Sequence, residues 1–161
     1  MMFRKSCLVA GIVAATLATP SAAQIDAKAA QAIITGCAAH AATKGQSFAI
    51  AVVDTGGQLL AAWRMDGNGY GIMDLALAKA RAVAAWGFPT SRMAEVAVET
   101  PGFDQAPHVV TVAGGVPVFS ADGRTRIGGV GASGEAPADD VACAVAGIAA
   151  AGLRSARAPS N

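Results

Sequence analysis

Two histidines, one mid-chain lysine and a few carboxylates are the residues with the types and spacing to do chemistry. His108 stands in Ala106-Pro107-His108, a loop just ahead of an apolar run and close to Gly114 and Gly115, where a flat ligand could approach the backbone. Imidazole is a common axial ligand of haem iron, so His108 is the first choice for an iron ligand, against the plainer reading of a solvated loop histidine. His40 follows Cys37 by three residues, which sets both on one side of a helix where they could hold a metal or haem iron. A structural zinc site usually wants four such ligands, and the blander reading of His40 is a partly exposed helix residue. Lys79 falls on an apolar helical stripe and needs a carboxylate partner, with Asp54 or Asp66 as sources, unless it pairs with a propionate at a pocket rim. Arg81 points to a different side. Asp66, ahead of a glycine-rich loop, either caps the next helix or receives a backbone amide, and Glu135 could converge with Asp66 and Lys79 on a pocket for a small organic acid.

Two motifs spell chemistry that their context denies. Gly129-Val130-Gly131-Ala132-Ser133-Gly134 matches the dinucleotide fingerprint, but only a helix and a polar tail follow, leaving no further strand and no acidic residue to hold a ribose. No nucleotide cofactor is expected; these glycines instead let a strand pack closely and bend into a turn. Gly131 to Glu135 approximates a nucleophile elbow with Glu135 where the last glycine belongs, and neither histidine lies late in the chain, where that fold puts its base.

The elements that must position these residues are legible in the apolar pattern. Asp26 to Lys44 carries Ala30, Ile33, Ile34, Cys37, Ala38 and Ala41 on one helical face and stops at Gly45. Ser47 to Asp54 and Gln58 to Met65, joined by Thr55-Gly56-Gly57, read as a β-hairpin. A second helix spans Ile72 to Trp86, and Ser91 to Val98 reads as a short helix capped by Ser91. Val109 to Val112, Val116 to Phe119 and Arg126 to Ala132 read as strands, Ala138 to Ala151 as a last helix after Pro137, and Arg154 to Asn161 as a frayed tail. The order α-β-β-α-(α)-β-β-β-α, with short links between consecutive strands, predicts an α/β (α+β) domain with an antiparallel sheet of about five strands covered by helices.

Residues 1–23 read as a signal peptide: Arg4 and Lys5, an apolar run from Leu8 to Leu17, then Pro20 and Ser21-Ala22-Ala23. The apolar run is too short to span a bilayer, so no stable membrane insertion is expected and residues 24–161 form one periplasmic or secreted domain. Loss of Arg4 and Lys5 moves the formal net charge from +1 to −1, and the remaining cations are scattered singly, which excludes a nucleic-acid partner. Cys37 and Cys143 then remain, either as a disulfide suited to an oxidising compartment or as two buried thiols. An alanine-rich surface with several glycine loops suggests a homo-oligomer.

Five segments in order resemble the GlcG/HbpS family (DUF336-type): Val52 to Leu60, Arg64-Met65-Asp66-Gly67, Ala76 to Thr90, Ala113 to Pro117 and Gly128 to Asp140. The resemblance implies a profilin-like fold, frequent homo-oligomers and, in some secreted members, haem binding with redox or haem sensing. A related domain ends certain corrinoid adenosyltransferases, and other members accompany glycolate or aromatic catabolism. The expected function is therefore an exported haem or tetrapyrrole binding protein for sequestration, sensing or transfer. The alternative is an enzyme or accessory factor acting on a small organic acid. Lacking a nucleophile and base pair, the chain favours binding over catalysis.

Overall fold

The structure, a computed structural model, describes residues 24–159, so the expected signal peptide lies outside the described residues. Helix α1 (Ala27–Lys44) starts where the Asp26 carboxylate accepts the Ala29 N–H at 2.7 Å and ends at Gly45 in the left-handed conformation. Strands β1 (Ala49–Asp54) and β2 (Leu59–Arg64) follow as a hairpin, then α2 (Tyr70–Trp86) and α3 (Thr90–Glu99). Strands β3 (Gly115–Phe119) and β4 (Arg126–Ser133) form a second hairpin, and α4 (Pro137–Ala150) closes the order. The two hairpins join through antiparallel pairing of β1 with β4, giving one sheet in the order β2-β1-β4-β3.

Alternation along the strands divides the molecule into three layers. Phe48, Ile50, Val52, Val116, Val118, Val130 and Ala132 turn to one face and pack with Ile33, Ile34, Ala144 and Ile148 of α1 and α4. Ala51 and Val53 turn to the other, against Ala80 and Ala84 of α2. On that second face β4 and β3 offer Gly129, Gly131 and Gly115, and here the absence of side chains decides the packing. A Cβ at Gly131 would run into the Ala76 carbonyl and lie 2.7 Å from the Ala80 nitrogen, and one at Gly129 would lie 2.8 Å from the Ala80 carbonyl. α2 thus rests on bare sheet backbone, which accounts for its run of alanines.

α1 and α4 meet just as closely, with Gly36 and Gly147 at the crossing and a disulfide between the buried Cys37 and Cys143, whose Cα atoms stand 4.6 Å apart. The alternative of two free thiols is thereby removed.

The sheet has four strands where the pattern suggested five. Val109 to Val112 is irregular, because the chain leaves His108 with a φ of 61° and reaches Gly114 with a φ of 123°, so the segment crosses beside α2 without pairing to a strand. α3 begins at Thr90 with the extended Pro89 as its cap residue and no side-chain cap bond, so Ser91 lies inside the helix rather than capping it, while the Thr90 hydroxyl is turned inward to accept the Gly115 N–H at 2.9 Å. The tail is not frayed as far as Ala158. Arg154 pairs with Phe119 in both directions at the free edge of β3, the Ala158 N–H reaches the Gly123 carbonyl in the β3–β4 turn, and the Arg157 guanidinium lies 5.4 Å above the Phe119 ring.

Cys143→Ser should lower unfolding free energy by about 2–4 kcal/mol, because the bridge closes a long loop of the unfolded chain; a urea melt that matches wild type would reject the bridge as a stabiliser. Gly131→Ala should cost on the order of 1–3 kcal/mol by forcing α2 off the sheet, read in the same melts.

Candidate functional site

Of the residues singled out above, Lys79, Ser133, Glu135 and Asp66 are joined in one hydrogen-bonded chain. Lys79 projects from the middle of α2 into the protein with no solvent exposure, and its ammonium donates to Asp140 Oδ2 at 2.8 Å, the Ala132 carbonyl at 3.0 Å and Ser133 Oγ at 3.3 Å. Three donors meet three acceptors, so the charge is fully satisfied. Asp140, in the first turn of α4 and 2 % exposed, also accepts the Glu135 N–H at 3.2 Å through Oδ1. Burial pushes the Asp140 carboxyl above the usual carboxylate range, partly offset by Lys79. Glu135 in turn accepts the Ser47 N–H at 3.0 Å, and the Ser47 hydroxyl donates to the Asp66 carbonyl at 2.6 Å.

This network differs from the expectation in two respects. The partner of Lys79 is Asp140, not Asp54 or Asp66. Asp54 Oδ1 accepts the Gly56 and Gln58 N–H groups of the β1–β2 turn, and Asp66 is exposed and takes part through its backbone; the cap position of α2 is Gly69, without a side-chain bond. The ion pair is also sealed. A Cβ at Gly114 would come within 2.8 Å of Lys79 Nζ and 2.9 Å of Asp140 Cβ, and one at Gly115 within 2.8 Å of the Lys79 carbonyl. Both glycines are filled against by protein rather than offered to a ligand. Lys79, Ser133 and Asp140 therefore hold the fold and are closed to a substrate.

An open site lies on the outer side of α2. Trp86 ends that helix and donates from Nε1 to the Pro107 carbonyl at 3.0 Å, while its ring packs edge-on against Phe103 with centroids 4.9 Å apart. That contact pins the loop over the helix end and presents His108, exposed and in the left-handed region that histidine tolerates better than most residues. Two adjoining hollows share His108 and Arg81. One, of about 280 Å³, is bounded by Thr55 to Gln58, Ala84 and Ala85; the other, of about 500 Å³, by Asp74, Leu77, Ala78, Val109 and Val110. Together they form a groove with mostly small or apolar walls, one imidazole, one guanidinium and, toward the start of α2, one carboxylate.

His40 does not belong to this groove. It sits on α1, on the opposite face of the sheet from α2, and the Cys37 sulfur beside it is consumed by the disulfide, so the two cannot act as joint metal ligands. Its Nε2 is buried and has no hydrogen-bond partner among the described residues. No group of three or more His, Cys, Asp or Glu able to hold a metal occurs among the described residues.

The comparisons with known proteins agree with this architecture. Residues 25–149 match the family model described as "Haem degrading protein HbpS-like". The chain belongs to the HbpS-like family. Among solved structures, a double mutant of HbpS from Streptomyces reticuli superposes with a TM-score of 0.73 at 29 % identity, covering 88 % of this chain and 97 % of that one. A PduOC–haem complex gives 0.74 at 23 % identity, covering 84 % and 100 %. Klebsiella pneumoniae ORFY, a DUF336 protein, gives 0.74 at 23 % identity, covering 85 % and 97 %. These last two likenesses carry the fold alone. No curated protein matches the chain.

Sequence reasoning missed Asp140 and the use of Arg81. A helix start after Pro137 favours acidic residues such as Asp139 and Asp140, and a lysine on an apolar stripe demands a carboxylate, but neither signal singles out Asp140 among the carboxylates of the chain. Lys79→Met alone should destabilise by about 3–5 kcal/mol, because it strands a buried carboxylate. Adding Asp140→Leu should recover part of that loss. Chemical denaturation of the four-member cycle checks this, and a double variant worse than both singles would show that the pair does not act as a unit.

Proposed function

We propose that this is an exported haem-binding protein that seats the tetrapyrrole in the groove outside α2, with His108 as iron ligand, and holds it for sequestration or transfer. The observation that carries the reading is His108 itself: an exposed imidazole, on a loop held by the Trp86 to Pro107 hydrogen bond, at the junction of two hollows walled by Leu77, Ala78, Ala84, Val109 and Val110. An apolar cleft with one imidazole is the donor set haem requires. The description of the family names haem, and PduOC, which shares the fold, has been seen with haem bound. Export is supported by the Cys37–Cys143 disulfide, a bond suited to an oxidising compartment, and by the basic and apolar start of the chain. Among the described residues no helix is long and apolar enough to cross a membrane.

The enzymatic alternative is weaker on the same geometry. It needed Lys79, Asp66 and Glu135 on a pocket, and Lys79 is enclosed, the Glu135 carboxylate accepts the Ser47 N–H, and Asp66 is exposed and joins the network only through its backbone carbonyl. Degradation of haem, which the family description names, requires the same seat. Persistence of the Soret band under ascorbate and oxygen separates holding from breakdown.

Titration of purified protein with hemin should saturate near one equivalent with a Soret shift, and His108→Ala should move the band and weaken binding by about tenfold or more. His40→Ala, on the other face of the sheet, should leave both unchanged. Non-saturating binding, or a spectrum that follows His40 instead of His108, overturns the proposal.

A further inference from the structure

We infer that the groove selects ligands bearing a carboxylate on a flat apolar body, and that Arg81 takes that carboxylate; this rests on the haem reading and assigns the orientation of the ligand within it. Arg81 lies two residues beyond Lys79 on α2, so it leaves the helix on the exposed side while Lys79 is turned inward. It lines both hollows. Its Nε donates to the Gly57 carbonyl at 3.2 Å, which ties the side chain to the β1–β2 turn and sets the guanidinium between the two hollows. The terminal nitrogens make no hydrogen bond, and Arg81 enters no ion pair, among the described residues.

Asp54 Oδ1 accepts the Gly56 and Gln58 N–H groups of the same turn, and no hydrogen bond or ion pair joins Asp54 to Arg81 among the described residues. What remains is a planar fork held by one nitrogen, with two more able to meet both oxygens of a carboxylate. Asp74 stands on the same side of α2, two turns earlier, in the larger hollow. The charged groups of this mostly apolar groove are therefore separated, the cation near the turn and the anion toward the start of α2. A tetrapyrrole would be held with its carboxylates at Arg81 beside residues 55–58 and its apolar body against Leu77, Val109 and Val110, with His108 on the same groove as the ligand proposed for its iron.

The test pairs three ligands with three proteins. Wild type, Arg81→Gln and Arg81→Lys are titrated with hemin and, by fluorescence quenching, with protoporphyrin IX and its dimethyl ester. Wild type should prefer the diacid to the diester by about tenfold or more, as expected for loss of a charge-assisted pair. Arg81→Gln should lose that preference and weaken hemin by a similar factor while keeping the wild-type Soret position, because His108 is untouched. Arg81→Lys should retain part of both. If hemin binds saturably through His108 but Arg81→Gln binds it like wild type, or the diester binds as well as the diacid, the assignment of Arg81 falls and the haem reading stands. If wild type binds hemin only weakly and without saturation, both fall.

Discussion

Lys79 comes from the helix on one face of the sheet and Asp140 from a helix on the other, and their contact at 2.8 Å passes around the end of β4. Taking both charges out of water costs several kcal/mol per ion, which only close geometry and full hydrogen bonding offset. Much of the local structure follows from that requirement. Gly114 must lack a side chain to leave room for the ammonium, Ala132 and Ser133 must direct oxygens at it, and the chain after β4 must turn so that the Glu135 N–H reaches the second carboxylate oxygen. Gly134, with a φ of 144°, makes that turn against Ser47 and Phe48. The strand end, the next helix start and the first strand are thus shaped around one ion pair.

The same scarcity of side chains that admits the pair brings α2 down onto the sheet. With glycine at positions 115, 129 and 131, the helix buries Ala76, Ala80, Val83 and Ala84 at short range. Its carboxyl end is then within reach of β4, where Arg126 donates to the Val83 and Ala84 carbonyls and supplies the cation that the last turn of α2 lacks. A helix so firmly seated offers a rigid outer face. The loop through Phe103 and Pro107 is latched to that face by Trp86, and the groove is the space between them.

The layout of helices and hairpins was legible because it rests on local signals: the Gly45 stop, the Thr55-Gly56-Gly57 turn and the period of the apolar residues. Misreadings arose where a distant residue decided the outcome. Val109 to Val112 has strand composition, yet β3 is bordered by Arg154 from the tail, and the valines serve the groove instead. The Thr90 hydroxyl caps nothing in α3 but holds Gly115, far along the chain, a use that no local pattern shows. Lys79 announced a buried charge, but nothing local distinguished Asp140 from nearer carboxylates. Gly114 and Gly115 announced a close approach, and composition could not tell a ligand from a helix as the body approaching.

Two cations two residues apart on α2 meet opposite fates, and their chemistry suits the division. An ammonium is compact, with three donors that fit a small closed shell of oxygens, and Lys79 fills such a shell to the last donor. A guanidinium is planar, keeps its charge in any surroundings and can commit one nitrogen to a tether while presenting the others, as Arg81 does from the Gly57 carbonyl. Exchanging the two would leave an over-long fork in the core and an untethered, strongly hydrated point charge at the groove. The polar residues that stabilise this domain are therefore separate from those free to meet a ligand. Chemistry is to be sought on the outer face of α2, where a cation and an imidazole are held in place and still face solvent.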